Sequence, residues 1–92
     1  MTYTVLLEET VKADILKHKM SGEIKLLKKI HTLLEELKTH PTTGTGKPKQ
    51  LKHYHTPTWS RRISDKHRMI YQIHEHTVTV IVLSAWGHYS DK

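Results

Sequence analysis

The period of the apolar residues switches from helical to alternating at His40-Pro41, and that switch limits the fold more than any other feature. Before it, apolar side chains recur at helical steps. Ile24, Leu27, Ile30, Leu34 and Leu37 are spaced by three and four, and Leu26 and Leu33 widen the stripe, which predicts an amphipathic helix from about Glu23 to Thr39. The residue before a proline avoids the helical region, so His40 closes that helix. Val11, Ile15 and His18 mark a shorter helix from Glu9 to about Met20, with acids in its first turn, and Ser21-Gly22 separates the two. Ahead of both, residues 2–7 alternate and then turn apolar, as a strand entering a core does.

After Pro41 the period becomes two. A polar loop with glycine and proline punctuation, residues 42–48, leads into short strands expected at 50–53, 58–64, 68–74 and 77–85. The turns at Asp65-Lys66 and Glu75-His76 are too short for a crossover, so the last strands should form an antiparallel meander. The expected class is α+β: an antiparallel sheet of four to five strands with two N-terminal helices on one face. Ninety-two residues leave room for one core, hence a single domain over 1–92.

Composition narrows the function. Fifteen Lys and Arg against nine Asp and Glu give a formal charge of +6, unevenly spread: residues 46–68 hold Lys47, Lys49, Lys52, Arg61, Arg62, Lys66 and Arg68 against Asp65 alone. A one-sided basic surface suits a polyanion. Cysteine is absent, which excludes a disulfide framework and a thiolate nucleophile. No apolar run is long enough to span a bilayer, and the N-terminus lacks a signal-peptide pattern, so a cytoplasmic protein is expected, without a membrane role.

The histidines of His53-Tyr-His55 and His74-Glu-His76 lack a third ligand at a recognisable spacing, so neither a metal nor any other cofactor is expected. Gly44 and Gly46 lack the remainder of a nucleotide-binding fingerprint and read as a flexible connector. The cluster from Trp59 to Arg68 carries more information. In a strand Arg61 and Arg62 point to opposite faces, and Arg68 returns beside the first strand after a tight turn. The guanidinium fork suits phosphate, and Trp59, Tyr71, Trp86 and Tyr89 interleave rings on which bases can stack, although Trp59 and Tyr71 suit a core equally well.

Trp59-Ser-Arg-Arg-Ile63, His67-Arg-Met-Ile-Tyr71 and Gly87-His88-Tyr89, preceded by Gly44-Thr-Gly-Lys-Pro48 and Leu51-Lys-His53, resemble the Txe/YoeB family of RelE-like toxins in order and spacing. The resemblance implies a type II toxin that cuts mRNA in the ribosomal A site and is neutralised by a YefM-like antitoxin, with a homodimer among the assemblies its relatives form. It implies metal-free chemistry, in which the ribose 2′-OH attacks its own phosphodiester to give a 2′,3′-cyclic phosphate and a 5′-OH. Carried over by position, Arg68 stabilises the phosphorane and Arg62 orients the phosphate. His88 is the general acid, with a reference pKa of about 6.5 that suits the task. Tyr89 orients or stacks on the RNA, and Lys47, Lys52, Arg61 and His67 complete the expected contacts.

The chain departs from the family at the base. A glutamate usually follows the loop proline; here it is Lys49, and a second acidic position is Lys66. A lysine at its reference pKa of about 10.4 is protonated at neutral pH. Three readings of Lys49 follow: a base made acidic by its cationic neighbours, an electrostatic stabiliser with base duty passed to the ribosome or to His67, or a toxin-like protein that grips antitoxin or ribosomal RNA with weak or no cleavage.

Overall fold

The computed structural model describes residues 2–87 in the order β1 (Thr4–Leu7), α1 (Glu9–Met20), α2 (Ile24–Leu37), β2 (Lys49–Gln50), β3 (Thr58–Arg62), β4 (Arg68–His74) and β5 (Thr79–Ser84), with a 3-10 turn at Glu75–Thr77. The helices and the meander lie where the sequence puts them, within a residue or two at most ends. The five strands form one sheet in the order β1-β5-β4-β3-β2. β2, β3, β4 and β5 run antiparallel, but β1 lies parallel to β5, with Val5 opposite Val80 and Leu7 opposite Val82. The sheet is thus antiparallel, as expected, except at one edge. Two helices separate β1 from the rest of the chain, which frees it from the reversal that a short turn imposes on neighbouring strands.

Strict alternation decides the two faces. Met69, Tyr71 and Ile73 of β4 and Val80 and Val82 of β5 are buried against Val11 of α1 and Ile30, Leu33 and Leu37 of α2. Each such aliphatic side chain contributes about 1.5–3 kcal/mol by leaving water. The α2 stripe that is buried runs through Leu26, Ile30, Leu33 and Leu37; Ile24, at the first turn, is exposed instead. The residues between the buried ones on β4, namely Arg68, Ile70, Gln72 and His74, occupy the opposite face, away from both α1 and α2.

One irregularity matters for the site. Tyr71 pairs with Val82 and Ile70 with Ser84, so Leu83 is the extra residue of a β-bulge that bends the end of β5. The last ladder bond from the β1 side, Glu8 N–H to Val82 C=O (3.0 Å), falls just before this bend. Beyond it α1, not β1, borders the strand end.

Candidate nucleic-acid interface

Register and parity place the basic residues. Lys49 pairs with Ser60, which pairs with Ile70; Arg62 pairs with Arg68 one row further along. Steps of two keep a residue on the same face, so Lys49, Arg62 and Arg68 all stand on the sheet face away from α1 and α2. Strand spacing and rise put Lys49 about 12 Å from Arg68 between Cα atoms, a gap that their long side chains can bridge around one phosphate. Two arginines directly opposite each other repel, and such like-charge pairs cost stability. The protein answers only in part: Arg62, 44% exposed, forms an ion pair with Asp65, and Arg68 Nη1 donates to the carbonyls of Ser64 (2.5 Å) and His67 (3.2 Å). Lys47, Lys49, Lys52 and Lys66 are exposed around this pair.

Arg61 is a correction. Expected at the RNA, it is fully buried, on the helix side of β3 with Tyr71. All five of its N–H groups are spoken for. Nε donates to Tyr71 Oη (3.1 Å), Nη1 to Glu36 Oε1 (2.8 Å) and the Thr45 carbonyl (3.2 Å), and Nη2 to the carbonyls of His40 and Thr43 (2.7 Å to the latter). The Tyr71 hydroxyl in turn donates to the Pro41 carbonyl at 2.6 Å. No donor is left for a phosphate. Partial burial pushes the Glu36 carboxyl up, but the hydroxyl and backbone N–H of Thr45, followed by Arg61, outweigh this and leave it below the ordinary carboxylate range. Burial raises the Tyr71 hydroxyl, with Arg61 opposing.

The same network revises the glycine loop. Residues 40–46 are not a loose connector; their carbonyls are fastened to Arg61, and Thr45 is fastened to Glu36. Gly44 and Gly46 permit this close approach. Both have positive φ, and a Cβ would run into Glu36 Oε1 at the first and come within 2.9 Å of the Arg62 carbonyl at the second. The lock holds the chain that leads into Lys47 and Lys49 against the sheet.

His67 serves the protein as well. Its Nδ1 accepts from the Gly87 N–H (2.9 Å), and its ring lies against His18 and Trp86, with centroids 4.7 and 4.6 Å away. An imidazole accepting at Nδ1 cannot take a proton there without breaking that bond. His88 and Tyr89, expected as general acid and RNA-orienting residue, lie outside the described residues, immediately after Gly87. Asp14 and His18 were not expected near the site. Their signal was nevertheless present: two polar residues four apart on the buried face of α1. Glu36 carried no such signal, because its partners come from a distant loop and strand.

Among the described residues no group of three or more His, Asp or Glu could hold a metal ion, and no helix is long and apolar enough to cross a membrane. A cleft of about 600 Å³ lies beside the Arg61 lock, lined by Tyr3, Pro41, Trp59 and Ile73 among others, and contains none of the basic residues of the open face. The candidate site is thus a charged sheet face, not a cavity.

The comparisons agree with one another. Residues 8–89 match the family described as YoeB-like toxin of bacterial type II toxin-antitoxin system. Toxin YoeB of Escherichia coli K12 is 36% identical over 56 residues, 61% of this chain and 67% of that protein. Toxin YoeB of Mycobacterium bovis is 36% identical over 70 residues, 76% of this chain and 80% of that protein. In structure, a YoeB/ParE toxin from Agrobacterium tumefaciens superposes with a TM-score of 0.83 at 27% identity, over 94% of this chain and 99% of the other. A YoeB dimer from Staphylococcus aureus gives 0.80 at 27% identity, over 97% and 100%. The matched region includes both helices, strands β2 to β5 and the basic face, and on that ground the chain belongs to the YoeB-like toxins of bacterial type II toxin-antitoxin systems.

Proposed function

We propose that this toxin is a ribosome-dependent mRNA endoribonuclease that works without a metal, cutting in the A site by attack of the ribose 2′-OH on its own phosphodiester. The observation that carries the reading is the Arg62–Arg68 pair, set directly across two strands with Lys49 on the same face. A like-charge pair that costs stability is relieved when an anion binds between its members. A phosphorane carries more negative charge than the phosphodiester before it, so cations fixed on a sheet favour the transition state over the ground state.

The roles follow from chemistry and position. Arg68 stabilises the phosphorane, Arg62 orients the phosphate, His88 protonates the leaving 5′-oxygen and Tyr89 orients or stacks on the RNA. Lys47 and Lys52 hold the strand by its backbone. Because His67 Nδ1 is engaged by Gly87, base duty falls to Lys49 or to the ribosome, with Lys49 otherwise acting as a fixed positive charge. A second reading, a toxin that binds without cutting, draws on Lys49 alone, since a lysine stands where the family has a carboxylate.

The partners follow the relatives. A YoeB dimer and a heterotetrameric YoeB-YefM complex are known from Staphylococcus aureus, the latter superposing with a TM-score of 0.76 at 27% identity. We assign this chain an acidic YefM-like antitoxin, whose charge complements the +6 of the toxin, and a homodimer as its free form. The test is cleavage mapping on programmed ribosomes with toxin freed from its antitoxin. Arg68→Ala and His88→Ala should each lower the rate by about 10²–10³-fold. Specific cleavage that persists at the wild-type rate in both variants would refute the assigned site, and a wild-type chain that binds ribosomes without cutting would favour the second reading.

A further inference from the structure

The strand end that precedes His88 is held in an unusual way. Ala85 and Gly87 lie beyond the last residue of β5, where β1 no longer runs alongside, yet every backbone polar group of both is paired. The Ala85 N–H donates to Asp14 Oδ2 (2.9 Å), and the Ala85 carbonyl accepts from His18 Nε2 (2.9 Å). The Gly87 N–H donates to His67 Nδ1 (2.9 Å), and the Gly87 carbonyl accepts from the Arg68 N–H (2.9 Å). Asp14 and His18 are one helical turn apart, so α1 offers an acceptor and a donor at the spacing that brackets one residue. It replaces the lost strand as a hydrogen-bonding neighbour. Both side chains are buried, and the intervening Trp86 rests on the rings of His18 and His67.

We infer that Asp14, His18 and His67 are positioning residues for the cleavage reaction: they fix Ala85–Gly87, the residues joined in sequence to His88 and Tyr89, relative to Arg68. The inference rests on the endoribonuclease reading above. The geometry ties both halves of the site to one place, because Arg68 bonds Gly87 through its own backbone while its guanidinium faces the open side of the sheet. A core histidine kept only for packing would not need this arrangement. His18 Nε2 is committed to a strand-end carbonyl, while its Nδ1 is buried with no partner among the described residues, a penalty that an aromatic hydrocarbon at the same place would avoid.

The experiment compares substitutions that keep the ring volume with ones that keep the hydrogen bond. His18→Phe retains the aromatic contacts and loses the donor; His18→Gln can place an amide N–H near the Nε2 position. His67→Leu loses the acceptor at Nδ1, and His67→Asn restores one. Cleavage on programmed ribosomes is measured as kcat and KM separately, alongside amide exchange at Gly87. His18→Phe and His67→Leu should lower kcat by about ten- to a hundred-fold with KM almost unchanged, because misplacement of a reacting group acts on turnover. His18→Gln and His67→Asn should recover most of that loss, and exchange at Gly87, whose N–H bonds His67 Nδ1, should quicken in His67→Leu and not in His67→Asn. If His18→Phe does not fold, the His67 pair decides alone. Folded His18→Phe and His67→Leu variants with wild-type kcat would overturn the inference while leaving the endoribonuclease reading intact. A wild-type toxin that does not cut would remove both.

Discussion

Replacing Arg61 by methionine should unfold this protein far more readily than any change on its basic face. The side chain is 0% exposed and its five N–H groups meet one carboxylate, one hydroxyl and three loop carbonyls. Methionine has comparable length and no donor. It strands the carbonyls of His40, Thr43 and Thr45 against an apolar chain and leaves Glu36 with Thr45 alone. Removing one member of a buried ion pair costs about 3–5 kcal/mol. Glu36 is 25% exposed and can recover some hydration, which favours the lower end, about 3 kcal/mol. Against a total stability of about 5–15 kcal/mol this is a large fraction. At about 4–8 °C per kcal/mol for a domain of this size, Tm should fall by roughly 12–24 °C. Urea unfolding followed by far-UV circular dichroism measures the loss directly. A midpoint shift worth less than about 1 kcal/mol would refute the claim that Arg61 is a structural cation, because one unmade hydrogen bond to a charged group exceeds that.

Acid should weaken the same lock. Glu36 is held below its ordinary range, so its contribution is present above the unfolded carboxylate pKa of about 4.3 and lost as pH falls through the lower folded value; Glu36→Gln should flatten the acid limb of a urea-midpoint profile, and an unchanged limb would contradict this. Gly46→Ala should cost about 1–3 kcal/mol, since φ is +87° and the new Cβ meets backbone. Gly22→Ala, at φ +72° with nothing within 4 Å, should cost less, and the reverse order by thermal unfolding would be a failure of the argument. Arg68→Gln removes repulsion with Arg62, so its stability should stay within about 1 kcal/mol of wild type, whereas cleavage, on the proposed function, should fall sharply. Lys49→Ala should lower cleavage if the lysine is base or stabiliser, and substantially faster cleavage by Lys49→Glu would show that the native lysine is a handicap.

Much of this architecture was legible because it follows from local pattern. The apolar steps of Ile30, Leu33 and Leu37 and the alternation of Met69, Tyr71 and Ile73 each have one solution, helix and strand, with those residues inside. The parallel pairing of β1 was not legible, since hydrophobic period says nothing about which strand an N-terminal segment joins or in which direction. Within the site, parity showed that Arg61 and Arg62 divide between two faces, but both faces offered plausible partners. What decides is Glu36, Thr45 and the loop carbonyls converging on one side, a non-local fact. The bracket of Asp14 and His18 around Ala85 is also non-local, joining residues about seventy positions apart.

The Arg61-Arg62 dipeptide shows how one strand can serve stability and recognition at once, and it changes what a loss-of-toxicity screen would mean here. The two side chains are chemically identical neighbours, and a screen would score both as essential. Arg61 anchors the chain that delivers Lys47 and Lys49 to the sheet, so its loss would abolish toxicity through the fold and would also reduce soluble toxin and antitoxin binding. Arg62 is 44% exposed beside Asp65, so its loss should spare folding and affect only the handling of RNA. Soluble yield of the toxin co-expressed with its antitoxin separates the two without any nuclease assay. Arg61→Met should deplete the complex, while Arg62→Met should leave it at wild-type abundance, and equal depletion by both would mean that the open face contributes to the fold as much as the buried one.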